Sequence, residues 1–320
     1  MQALWMVLAA LIFAVMSVCV KFASQDFNAA EIVFYRGLVS MALLVWLARR
    51  SGVTLTTQYS REHAWRSFVG VISMGAWFYA IGHLPLATAT TLNSMSSIWM
   101  AVFLIAQGLW MRHTLRKSYA AQPETRRAIP PFPWALVGTV FLGFIGVLLV
   151  LRPSSAPASE WIPAMGGLFG GMFAAMAYMQ VTTLSRLGEP ETRVVFYFSV
   201  GSAVAGGITM LFTGISPFPG WSALWLVPVG VLAAVAQVCM TKAYASAGSK
   251  SNTLVVANLQ YSGIVFASLY SIFLFGDDLG TAGWVGMVLI TGCGIAASIF
   301  RARGAVQPAP APAAAPTAPK

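Results

Sequence analysis

The chain has 320 residues, of which 58% are hydrophobic and only 9% charged, a balance far from that of a soluble globular domain. Its net charge of +10 would suit nucleic acid only if the basic residues shared one folded surface, whereas they lie in separate short segments between apolar stretches. No nucleic-acid partner is expected, and the lipid bilayer is.

Windows of about 19 residues predict apolar spans near 3–22, 29–48, 66–83, 86–111, 134–151, 162–184, 192–214, 222–245, 251–275 and 279–300. That makes an all-α integral membrane protein of ten transmembrane helices. The first span lacks a basic leader and a small-residue cleavage site, so it is expected to stay as a helix. Between the third and fourth spans His83-Leu84-Pro85 leaves almost no loop, and Pro85 argues for a break rather than one long helix. Residues 112–133 form a basic, Pro-containing stretch, and residues 301–320 are read as a disordered Ala- and Pro-rich tail.

Lys and Arg collect on the cytoplasmic side of membrane proteins. With the N-terminus inside, fifteen of the nineteen basic residues fall in cytoplasmic segments. Arg66 is counted among them, at the start of the third span. Both termini are then cytoplasmic, and a bacterial inner membrane is the expected location.

The spans divide into two sets of five, which opposes the orientations of the halves and is typical of secondary transporters. Phe13-Ala14-Val15-Met16 is answered by Phe173-Ala174-Ala175-Met176, and Val33-Phe34-Tyr35 by Val195-Phe196-Tyr197, at offsets of 160 and 162. The loop 112–133 is basic and its counterpart Gly276-Asp277-Asp278-Leu279 acidic, as inversion predicts. The expected units are a first repeat over 1–151, which holds the insertion 112–133, and a second over 152–300.

Polar residues away from span ends are functional candidates, because burying them in lipid is unfavourable. Thr90, Asn93 and Ser97 share one helical face of the fourth span. Asn258, Tyr261 and Ser262 do the same in the ninth, with Gln260 adjacent, while Gln237, Thr241 and Tyr244 align in the eighth. Tyr178 and Gln180 lie in the sixth. Trp77, Tyr79 and Trp99 are candidate aromatic walls. Hydrogen bonding between helices is the alternative reading for each polar residue. Arg36, inside the second span, reads either as a fixed cation for a substrate carboxylate or phosphate, or as a partner of Glu31 or a helix-end carbonyl. Lys21 and Lys242 read as interfacial anchors, His83 as a capping residue, and the glycines at 166, 167, 170 and 171 as helix-contact positions.

The absences are informative too. No Asp or Glu falls in the middle of a span, which speaks against a buried carboxylate as proton relay. Three dispersed Cys and three His make no metal motif, and there is no ATP-binding loop of the Walker A kind. No enzymatic role and no cofactor are expected, and nothing in the sequence specifies a homodimer.

In its order of motifs the chain resembles the drug/metabolite transporter superfamily, specifically its EamA family of ten-span, two-repeat carriers. The residues that carry the resemblance are Leu8-Ala9-Ala10-Leu11-Ile12-Phe13-Ala14, Glu31-Ile32-Val33-Phe34-Tyr35-Arg36, Leu84-Pro85-Leu86-Ala87 and Phe273-Leu274-Phe275-Gly276-Asp277. The chain departs from the family at Leu109-Trp110-Met111-Arg112, where the first repeat often has a Gly-Glu pair. The resemblance implies two inverted five-helix repeats around a central cavity that opens alternately to each side. The expected function is secondary transport of a small polar or amphipathic metabolite, with efflux favoured as the direction. The alternatives are uptake of a nucleoside-like metabolite such as S-adenosylmethionine and, from another class, a non-transporting scaffold or receptor.

Overall fold

The computed structural model describes residues 2–96, 98–100, 102–103, 105–106, 109–110, 113, 134–151, 158–217, 220–246 and 259–306. Among them the regular structure is all helical. In chain order the helices are α1 (Gln2–Ala23), α2 (Ala29–Ser51), α3 (Ser60–His83), α4 (Leu86–Asn93), α5 (Trp134–Leu151), α6 (Trp161–Arg186), α7 (Glu191–Thr213), α8 (Leu226–Ala245), α9 (Ser262–Phe275) and α10 (Gly280–Val306). Each predicted apolar stretch overlaps one of them. Five described helical segments are long and apolar enough to cross a membrane: α1, α2, α6, α7 and the segment Gly220–Ala245 that ends in α8. Shorter apolar stretches lie in α5, α9 and α10. The basic segment 112–133 falls outside the described residues apart from His113, as does the tail from residue 307. The last helix runs through Val306, beyond the predicted span end at residue 300.

Local chemistry explains the helix ends. Asn28 caps α2 by accepting from the Glu31 backbone N–H at 3.0 Å, and the Glu31 carboxylate accepts from the Asn28 N–H at 2.8 Å, a reciprocal capping box. The chain leaves α2 through Gly52 at φ 67°, a left-handed turn that glycine adopts without steric cost. The third helix stops at His83 because Leu84, which precedes Pro85, is held extended at φ −119° and ψ 162°.

Contacts across the two halves organise the bundle. In the main pairings α1 packs on α8 and α6 on α3, α2 on α8 and α7 on α3, and α1 on α9 and α6 on α4. The pairs α2–α7, α4–α9 and α5–α10 complete the set. Exchanging the first five helices for the last five turns every one of these pairings into another member of the same set. Small residues permit the close approaches. A methyl group on Gly171 would stand 2.9 Å from the Leu92 carbonyl oxygen, and one on Gly286 2.7 Å from that of Gly146.

One end of the bundle is tied by a buried polar cluster between the α2–α3 loop and the α6–α7 turn. Glu189 accepts from Thr57 Oγ1 at 3.0 Å, from His63 Nε2 at 3.1 Å and from Arg193 Nη1 at 3.1 and 3.2 Å. Arg193 also donates to Thr54, and the Tyr197 hydroxyl donates to the Leu55 carbonyl at 2.9 Å. Loop and turn come from different halves, so this cluster fastens one half to the other.

Candidate functional site

Between the halves lies a cavity of about 100 Å³ bordered by α1, α2, α3, α4, α6, α7, α8 and the start of α9. Helix α1 contributes Phe13 and Ser17, and α3 contributes Arg66, Ser73 and Trp77. Thr90 and Asn93 come from α4, Tyr178 from α6, Phe198 from α7 and Gln237 from α8. Apolar walls with a few placed polar groups are the usual composition of a small-molecule site.

The chain turns at the edge of this cavity in matching places of the two halves. After α4 ends at Asn93 the chain turns through Ser94-Met95 and becomes helical again at Ser96. In the second half Leu259 is helical, Gln260-Tyr261 form a turn, and α9 begins at Ser262. Interrupted helices mark binding sites in transporters built from repeats. Asn93 and Gln260 sit at these turns and both border the cavity. The Gln260 amide donates to the Tyr178 hydroxyl at 3.0 Å and accepts from Tyr244 at 3.3 Å. That small network joins α6 and α8 to the turn that precedes α9.

Charge is concentrated in two arginines. Arg36, the eighth residue of α2, and Arg66, the seventh of α3, are each 3% exposed. Their Cζ atoms lie 5.1 and 4.2 Å from the centroid of the same ring, Phe198, within the range of a cation–π contact. Arg36 Nη1 donates to Ser202 Oγ at 3.4 Å, the long limit for such a bond. Arg36 Nε and both Nε and Nη1 of Arg66 have no hydrogen-bond partner among the described residues. The same holds for Trp77 Nε1, Thr90 Oγ1, Asn93 Oδ1 and Gln237 Oε1. Buried polar groups are ordinarily paired, so this concentration of unpaired atoms in residues that border one cavity, drawn from α2, α3, α4 and α8, marks it as a candidate binding site. Among the described residues no three His, Cys, Asp or Glu come together as metal ligands.

The structure brings Arg36, Trp77, Thr90, Asn93, Tyr178 and Gln237 to this one cavity. It places Gln180 elsewhere, because two residues along α6 turn the side chain about 200° from Tyr178. Tyr261 is also off the cavity: its hydroxyl lies against Gly294 of α10, where an added methyl group would overlap it. Ser97 and Asn258 lie outside the described residues. Glu31 is not the partner of Arg36, since its carboxylate accepts from Asn28 and from the Ser216 N–H and hydroxyl at 2.8 and 2.7 Å. Trp99 donates to the Leu168 carbonyl at 3.1 Å, and the Tyr79 ring lies tilted against that of His83 with centroids 4.3 Å apart; neither borders the cavity. Lys21 donates to the Leu84 carbonyl, and Lys242 sits 4.5 Å from the Trp5 ring.

Sequence reasoning missed Arg66 and Phe198. Arg66 stands at the head of an apolar span, where a basic residue reads as an anchor. The available signal was helical phase: Ser73 and Trp77 follow it at intervals of seven and four, on one face of α3. Phe198 carried no signal beyond being aromatic in an apolar helix.

Residues 1–109 match the EamA-like transporter family. A pseudopaline exporter of Pseudomonas aeruginosa is 29% identical over 292 residues, covering 90% of this chain and 92% of the relative. A Helicobacter pylori protein named as an uncharacterized transporter is 27% identical over 301 residues, again 90% of this chain and 92% of the relative. A riboflavin transporter of Rhizobium johnstonii is 26% identical over 251 residues, or 77% of this chain and 74% of the relative. A crystal structure at 17% identity superposes with a TM-score of 0.60 over 94% of this chain and 97% of its own, which relates the folds alone. With its apolar helices and its cavity between two halves, the chain carries an EamA-like transporter family domain and has homologues, along nine-tenths of its length, named as transporters.

Proposed function

We propose that this chain is a secondary transporter that moves a small polar metabolite by alternating access through the cavity between its halves. Ten membrane spans form two inverted five-helix repeats, 1–151 and 152–300, with both termini on the cytoplasmic side of a bacterial inner membrane. The observation that carries this reading is the cavity itself, bordered by both halves and walled by buried polar atoms that no described protein group satisfies. The symmetry of the helix pairings supports two equivalent repeats. Alternating access then amounts to rocking one half against the other around a fixed site. Net efflux is the proposed direction, in keeping with the named exporter that aligns over most of the chain.

The test is metabolite profiling of cells and medium with and without expression of the chain. At least one metabolite is expected to leave the cells only when the chain is present. At matched membrane abundance Asn93→Ala should lower that flux about five- to tenfold, the equivalent of one lost hydrogen bond. No shift under varied nutrients would refute transport, and accumulation inside the cells would reverse the direction.

Gly70→Ala gives a second, local test of the site. A methyl group there would overlap Arg66 Nη1 and stand 2.8 Å from Phe198 Cε2. Arg66 can swing away while the backbone stays in place, so the variant should keep its thermal stability within about 2 kcal/mol and lose most of its transport. Undiminished transport would mean that the contact between Arg66 and Phe198 is not needed.

A further inference from the structure

We propose that the transported solute is an anion with two acidic groups, and that Arg36 and Arg66 grip one group each; this rests on the carrier reading above. The chain holds nine acidic residues, of which only Glu124 lies outside the described residues. None of the other eight borders the cavity. Glu31 is held in the α2 cap, Glu189 accepts from Thr57, His63 and Arg193, and Asp277 and Asp278 accept from Ser271 and the Gly280 N–H. Both guanidiniums are thus buried with no described carboxylate against them.

Removing one partner of a buried ion pair is strongly destabilising, so an isolated buried cation is retained only where something else compensates it. Phe198 compensates through its ring, but a ring cannot take up the unpaired N–H groups of both arginines. The natural partner of a guanidinium is a planar oxyanion, which it binds through two parallel hydrogen bonds once its side chain turns toward the ligand. Because both stand over a single ring, one small molecule can span them. A cationic solute would meet two like charges here. The unpaired amide oxygens of Asn93 and Gln237 add a place for a hydroxyl or amine on the same solute. Carboxylate and phosphate share this recognition chemistry.

The test reads the charge class of whatever moves. Metabolites that leave cells expressing the unaltered chain are sorted by net charge at pH 7, and the measurement is repeated for Arg36→Gln, Arg66→Gln and Arg66→Lys at matched membrane abundance. Doubly anionic compounds are expected to dominate, and each Gln variant should lower their flux about tenfold or more. Singly charged anions should fall less. The Lys variant, which keeps the charge and loses the fork, should lie between. Accurate mass and phosphatase treatment then separate phosphate esters from carboxylates. If metabolites move but are neutral or cationic, or if Arg66→Gln leaves the flux unchanged, the anion assignment is overturned while transport stands. If nothing moves with the unaltered chain, the carrier reading fails and this inference with it. Should the Gln variants fail to reach the membrane, the charge of the compounds moved by the unaltered chain still decides.

Discussion

Gly206→Val is expected to destabilise the bundle strongly by forcing α2 and α7 apart. A Cβ on Gly206 of α7 would stand 2.6 Å from the Phe34 nitrogen and 2.8 Å from its Cα, and one on Gly37 of α2 would stand 2.5 Å from the Ala203 nitrogen. These neighbours are backbone atoms in helices, so they cannot turn aside as a side chain would. Relief requires α2 and α7 to separate along the contact that both glycines create. Overpacking of one methylene in a core typically costs about 1–3 kcal/mol, and here the branched side chain meets main chain, so the upper end or beyond applies. Separation would also withdraw Arg36, next to Gly37, from Phe198. The purified variant should lose its monodisperse profile in detergent or melt about 10 °C lower. Gly138→Ala, which has open space around it, should change neither. A Gly206→Val protein with an unaltered melting point would show that the helices do not approach this closely.

Glu189→Ala is the second large effect. The carboxylate is 4% exposed and its partner His63 2%, so the substitution strands the buried His63 donor and takes the charge partner from the half-buried Arg193. Removal of one member of a buried charged cluster typically costs about 3–5 kcal/mol. Burial acts to raise the Glu189 pKa, but the hydrogen bonds from His63, Thr57 and Arg193 outweigh it and hold the group below its ordinary 4.5. A carboxylate lowered in this way contributes stability that is fully present above its unfolded pKa and is lost as pH falls through the folded value. The unaltered protein should therefore lose stability on acidification below about pH 4.5. Glu189→Gln should show a flatter profile over that window and lower stability at pH 7. Equal melting points for the two proteins at pH 7 would remove the cluster as a fastening between the halves.

The apolar stretches were legible because a helix in lipid must carry an unbroken run of apolar side chains, a one-dimensional pattern. Pro85 marked the end of α3 for an equally local reason, the restriction it places on Leu84. The polar residues Thr90, Asn93 and Gln237 were found by their spacing and do meet at one cavity. Arg66 was not, because one basic residue near a span end has two readings, anchor and buried cation, that only its neighbours separate. Tyr261 shows the reverse: its spacing matched a polar face, and the face is covered by α10.

By itself the amino-acid sequence determined that this chain is helical, that it belongs in a bilayer, and that its two halves echo one another. All three follow from composition and from patterns read along neighbouring residues. Only the tertiary structure decided which polar residues face one another and which halves of the bundle touch. It set Arg36 and Arg66 over the single ring of Phe198 and left Arg36 Nε and both Nε and Nη1 of Arg66 without a partner among the described residues. Such convergence depends on the rotation and depth of helices that are distant in the chain, set by glycine contacts between backbones, and no local pattern records those.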